Sequence, residues 1–388
     1  MSAPRVRFAG VCGAILLASV AASAQPPAGP VPQANARADA GTPAVAERLN
    51  RVRGDLFSGT PHFAQDVEEL KAILAREPGA AEPHLLLGIA YRGLGSPDLV
   101  GETIAEFRQA LTINPGFVPP RFYLAQMYLE LARAARAREE LEAGLVQVPG
   151  NPQFLALLGE AERQLKNPSR AVELTRQALQ ADPAFTQARY YLGLALFDRG
   201  LRDEAIKELE LVVRSGAQVA DPYLNLGSMY LEAGRADDAL EILTQGTRID
   251  PARADLRVQL ARAHRVKGSL VKADEQLTIA FARAGAIPGG ATSLQQRLEF
   301  DLYLEQGLLR LAQGRLDAAE KALQRVLTLD PAHGPSVRYL AEVYMRRGLY
   351  KKALEYATRA ETLGFPLPDD TRKALQAKLR ASRTGGRQ

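Results

Sequence analysis

At 388 residues with 46% hydrophobic content the chain can bury a large core, yet aromatics make up only 6% and Trp is absent. Ala, Leu, Arg, Glu and Gln are abundant, which favours helix over strand. The formal net charge of +5 is mild and mixed in sign along the chain, which excludes the strong single-sign field of a nucleic-acid binder.

Residues 1–24 read as a secretory signal. Arg5 and Arg7 form a basic start, Val11 to Val20 a short apolar run, and Ala22-Ser23-Ala24 a small-residue cleavage site. An uncleaved membrane anchor is the alternative, although the apolar run is short for a span. Cleavage leaves the mature chain at +3 (47 basic against 44 acidic residues) and removes Cys12, the sole cysteine. Such a chain has no thiol chemistry and no disulfide, and the expected location is periplasmic or secreted. Residues 25–46, rich in Pro and Ala, have too little apolar bulk to fold and read as a disordered linker.

From residue 47 a two-helix pattern repeats. Its clearest copy runs from Tyr223 to Pro251. Leu226, Gly227 and Tyr230 mark a first amphipathic helix that stops at Gly234; Ala239 and Leu243 mark a second that ends at Pro251. Gly227 and Ala239 are small where two antiparallel helices must cross closely. An atypical first copy has Gly54, Phe57, Leu70 and Pro78. The next has Gly88, Tyr91, Phe107 and Pro115, with Ser96-Pro97 expected to cap and open its longer second helix. The crossing positions 125, 159, 193, 227 and 261 then fall 34 residues apart.

That period, with Leu-Gly-x-x-Tyr, Ala-x-x-x-Leu/Phe and a closing Pro, resembles the tetratricopeptide repeat. Here no copy carries the family's Trp, and the Tyr is replaced by Glu162, Leu196 and His264. The resemblance implies an all-α fold, a right-handed superhelical solenoid of antiparallel helix pairs. About seven units fill residues 47–287, an irregular insertion occupies 288–299, and two further units occupy 300–367. In the insertion, Ser293 with Gln296 resembles a capping box, so a long helix is expected from near Leu294. Residues 368–388 are read as a capping helix with Ala374, Leu375 and Leu379 on one face, followed by a basic tail.

No catalytic motif is present. The histidines His62, His84, His264 and His333 show no metal-ligand spacing, and no phosphate-binding loop, dinucleotide fingerprint or nucleophile elbow occurs. The chain is therefore expected to be no enzyme and to carry no cofactor or metal.

In proteins with this repeat the first helix of each pair lines the inner wall, so function is expected there. If the crossing positions pack inward, helical geometry turns Phe122, Gln126, Tyr190, Leu194, Phe197, Leu224, Ser228, Arg262, Arg265 and Arg338 toward the groove. The expected ligand is an extended peptide or protein segment, with apolar anchors on Phe122, Tyr190 and Phe197 and an acidic group near the arginines. The competing expectation for the aromatics is that they fill space between repeats. Asn225 holds one position of the family's carboxylate clamp, but Tyr190, Leu194, Asp255 and Gln259 replace the rest, so no clamp is expected. The functional expectation is a non-enzymatic interaction scaffold in the cell envelope, or alternatively an assembly factor for pilus, outer-membrane or polysaccharide-export machinery. The basic tail offers a peripheral contact to an anionic envelope surface; nucleic acid is not an expected partner, and the oligomeric state is left open.

Overall fold

The computed structural model describes residues 43–58, 60–285 and 293–384, and every regular element among them is helical. The expected signal segment, most of the linker and residues 286–292 lie outside the described residues.

The chain divides between Gly216 and Ala217 into two compact units. In the N-terminal unit the helices pair as α1 (Pro43–Leu56) with α2 (Phe63–Leu74), α3 (Ala81–Gly93) with α4 (Val100–Ile113), and α5 (Val118–Glu130) with α6 (Ala134–Gln147). Two more pairs follow, α7 (Pro152–Gln164) with α8 (Pro168–Ala181) and α9 (Thr186–Asp198) with α10 (Arg202–Arg214). The C-terminal unit pairs α11 (Asp221–Glu232) with α12 (Ala236–Ile249) and α13 (Ala254–Val266) with α14 (Leu270–Gly285). It continues through α15 (Ser293–Ala312) with α16 (Leu316–Leu329) and α17 (Gly334–Arg346) with α18 (Tyr350–Thr362), and ends in α19 (Asp369–Thr384).

The hairpins form because each crossing position is nearly bare. A Cβ built on Gly227 would stand 2.5 Å from the Leu243 side chain, and one on Gly159 would stand 3.2 Å from the Ala171 carbonyl oxygen. The first helix of a pair ends when one residue turns left-handed and the next N–H closes on the last turn. In α11 that residue is Gly234, at φ +74°, with Arg235 N donating to the Tyr230 carbonyl at 2.8 Å. The same closure follows α5 and α7, but there Ala132 (φ +55°) and Lys166 (φ +66°) occupy the left-handed position. Arg133 N donates to Tyr128 O at 2.7 Å and Asn167 N to Glu162 O at 2.8 Å, so the turn itself is unchanged.

Behind the crossings lie the large side chains. Tyr128, Tyr230 and Tyr344 are buried between the helices of their own copies. Where Tyr is replaced, Leu196 fills the space, and buried Glu162 accepts from Asn167 Nδ2 at 2.8 Å. Leu375 is buried and Leu379 packs beside it against the cluster containing Leu340, Tyr344 and Leu367, so α19 covers the apolar end of the last hairpin as expected.

Three local expectations are corrected. Helix α1 begins at Pro43, inside the stretch read as linker, because Val45, Val52 and Leu56 give it a buried face. Gly54 is no crossing residue: nothing lies within 4 Å of its Cβ position, and Phe57 is 37% exposed. Ser96 does not cap α4 with its side chain; Pro97–Leu99 form a separate 3-10 turn and α4 starts at Val100. The long helix expected from near Leu294 is present as α15, which begins at Ser293 and runs for 20 residues.

Candidate functional site

The first helices of successive hairpins pack side by side within each unit: α5 on α7 and α7 on α9, then α11 on α13 and α13 on α15. Phe122 and Gln126 therefore lie on α5 and Tyr190, Leu194 and Phe197 on α9, all in the N-terminal unit. The C-terminal unit carries Leu224 and Ser228 on α11, Arg262 and Arg265 on α13, and Arg338 on α17.

These residues fall into three kinds. Phe122 is buried, with its ring 5.7 Å from both Tyr123 and Phe154, so it fills the space between hairpins rather than offering an anchor. Leu194 and Leu224 are buried likewise. Tyr190 and Phe197 are half-buried, and the Tyr190 ring lies 5.7 Å from that of Tyr191. Ser228 is half-buried on α11.

Two polar members, Gln126 and Arg265, take part in staples between neighbouring hairpins. Arg92 Nη1 donates to Gln126 Oε1 at 2.6 Å, and its Nη2 donates to Glu130 Oε1 at 2.5 Å. Arg163 is buried, bound through Nε and Nη2 to Glu160 at 2.7 and 2.9 Å and through Nη1 to Asp198 on α9 at 2.9 Å. Arg265 holds Glu305 of α15 by two bonds, from Nε at 2.5 Å and from Nη2 at 3.1 Å. Arg92, Arg163 and Arg265 occupy the same place in their hairpins, the last turn of the first helix. Desolvating a carboxylate without such a partner costs several kcal/mol, on the order of the penalty for any buried ion.

For Arg265 this corrects the expectation of a guanidinium open to an acidic ligand group. Burial pushes the carboxyl of Glu305 up while the Arg265 and Arg262 guanidinium groups pull it down. Asp301, one turn earlier on α15, is also pushed up by burial and opposed by Arg297 and Arg262. Arg265 is thus paired with a carboxylate of its own chain, and the Arg262 charge acts on Glu305 and Asp301. Arg338 lies apart on α17, its guanidinium 5.0 Å from the Tyr339 ring centre. At the positions that would form a clamp, Asp255 instead accepts from Arg253.

Among the described residues no three His, Cys, Asp or Glu side chains converge as a metal site would require, and no helix is long and apolar enough to cross a membrane. His264 is half-buried on α13, its pKa lowered by burial and then by Lys272, which leaves a neutral packing residue. In the tail, Arg372 is paired with Asp369 at 2.6 Å.

A different feature left only a faint trace in the sequence. The α5–α6 and α7–α8 turns enclose a cleft of about 500 Å³ lined by Arg133, Arg136, Lys166 and Arg163. Its signal was the two copies in which the left-handed turn residue is not Gly.

Models of the tetratricopeptide repeat match residues 100–161, 157–220, 220–253 and 304–364. The chain belongs to the tetratricopeptide repeat family. Its fold is the all-α array of paired helices that the family builds; a chain in the crystal structure of the APC/C hetero-tetramer Cut9-Hcn1 aligns with TM-score 0.63 at 16% identity, over 87% of this chain and 64% of that one. A tetratricopeptide repeat protein from Parabacteroides merdae aligns with TM-score 0.53 at 18% identity, over 67% of this chain and 98% of that one. In sequence the chain is 28% identical over 206 residues to Protein CTR9 homolog of Arabidopsis thaliana. That match takes in 51% of this chain and 19% of the relative's length. Tetratricopeptide repeat proteins bind protein or peptide partners and are generally non-catalytic.

Proposed function

We propose that this tetratricopeptide repeat protein is a non-enzymatic scaffold of the cell envelope that holds an extended segment of a partner protein against the inner helices of its N-terminal unit. The observation that carries the reading is the face of α9, where Tyr190, Leu194 and Phe197 stand at successive turns and both aromatics keep part of their rings uncovered. Half-covered aromatics beside a rigid helix bring large contact area at small entropic cost, the usual make-up of an interface anchor. The staples at Arg92 and Arg163 fix the neighbouring helices, so the surface is preorganised. The envelope location rests on Arg5, Arg7, the Val11–Val20 run and Ala22-Ser23-Ala24.

A photo-crosslinking residue placed at Phe197 in the native host tests the partner reading. One dominant polypeptide adduct is expected, mapping to a single extended segment and reduced at least tenfold by Tyr190→Ala. Adducts matching those from the exposed outer position Glu173 would reject it. N-terminal sequencing of the protein from a periplasmic extract tests the location, with Gln25 expected as the first residue.

A further inference from the structure

Arg92, Arg163 and Arg265 are each matched by a carboxylate, whereas the cleft between the α5–α6 and α7–α8 turns gathers cations that are not. Arg133, Arg136 and Lys166 line it, are exposed, and have no carboxylate within 4.0 Å among the described residues. Arg163 forms the floor, its charge already matched by Glu160 and Asp198. No acidic side chain lines the cleft. Ala135 and Leu165 contribute apolar wall, and the N-terminus of α6 opens there without an acidic residue in its first turn.

We propose that this cleft is a second binding site, for the carboxylates of an acidic peptide segment. Three like charges around one cleft repel each other, and an anion relieves that repulsion while bonding to the guanidinium groups in pairs. The apolar wall suits the methylene stem of a glutamate. A single-stranded nucleic acid is disfavoured because such sites need exposed aromatic platforms for the bases. The lining has none, and Tyr128, under the Arg136 guanidinium at 6.0 Å, is itself buried.

Spacing sharpens the ligand. Because α5, α7 and α9 pack directly on one another, successive turns along this edge recur at roughly the 8–10 Å of packed helices. The next turn presents Arg199, which is exposed and likewise without an ion-pair partner among the described residues. Three residues of extended chain cover about 10 Å. The favoured segment therefore carries Glu or Asp at every third residue, one carboxylate per turn. This site is separate from the α9 face.

The test uses the full-length protein and a fluorescent peptide of four Glu-Ala-Ala units, followed by anisotropy at low and moderate salt. Binding is expected, together with a salt-dependent loss of at least tenfold in affinity for Arg133→Gln/Arg136→Gln/Lys166→Gln. The control Lys272→Gln/Lys321→Gln/Lys351→Gln removes the same charge from exposed positions of the C-terminal unit and is expected to lose less than twofold. Tyr190→Ala/Phe197→Ala is expected to leave this binding unchanged, which separates failure here from failure of the α9 reading. An equal loss in both triple variants, tighter binding of a twelve-nucleotide oligo-dT, or no measurable binding of the glutamate peptide each overturns the proposal. All three substituted side chains are exposed, so the thermal unfolding curve is expected to be preserved.

Discussion

Arg265 grips Glu305 across forty residues of sequence, Nε and Nη2 each meeting one carboxylate oxygen, and so ties α13 to the inner face of α15. Glu305 is only 4% exposed. Arg265→Ala leaves that carboxylate buried without its main partner and is expected to destabilise the protein by about 3–5 kcal/mol. Replacing both, Arg265→Met with Glu305→Leu, is expected to recover most of the loss, because a packed apolar pair carries no desolvation penalty. Urea unfolding of Arg265→Met, of Glu305→Leu and of the double variant checks the coupling.

A second carboxylate gives a pH signature. Asp66 on α2 is buried, its Oδ2 has no hydrogen-bond partner among the described residues, and its pKa is pushed up to about 6 by burial and then by the neighbouring Asp55. The folded state therefore keeps a proton that the unfolded chain releases near pH 4. Between those values the unfolded chain binds fewer protons, so stability falls as pH rises from about 4 to about 6. Asp66→Asn is expected to flatten this slope and to gain on the order of 1–3 kcal/mol at pH 7, with its amide able to donate to Asp55. Melts taken every half pH unit report it.

Two glycine substitutions are expected to act in opposite directions. Gly227→Ala places a methyl 2.5 Å from Leu243 and is expected to cost about 1–3 kcal/mol. Gly54→Ala meets nothing within 4 Å on α1 and is expected to gain about 0.5–1 kcal/mol through helix propensity. Chemical denaturation of both variants checks the sign.

Ala132 holds a left-handed conformation at φ +55° where the hairpins from α9 onward carry glycine. Ala132→Gly relieves roughly 1 kcal/mol of strain, partly offset by the larger backbone entropy of glycine in the unfolded chain. A net gain of about 0.5 kcal/mol or less is expected, measured as a higher urea midpoint at unchanged m-value.

The repeat was legible because its determinants are local. Glycine at the crossing, tyrosine behind it and proline at the end each act within a single hairpin, so the periodic copies declared the fold. The first hairpin was misread at Gly54 because a small residue in an apolar frame resembles a crossing position whether or not a helix faces it. The site was less legible, since its chemistry depends on which hairpin stands beside which. Arg265 looked available to a ligand until α15 placed Glu305 against it, and Phe122 looked like an anchor until Phe154 covered it. The cations Arg133, Arg136 and Lys166 come from two turns some thirty residues apart, and no single stretch shows them together.

Within the N-terminal unit, every substantial helix contact joins helices no more than two apart in order. No strut ties the first hairpin to the fifth. Under tension such a molecule behaves as springs in series, yielding one hairpin at a time. Each yielding step would release a contour length on the order of 110 Å, set by the roughly 3.3 Å reach of one extended residue.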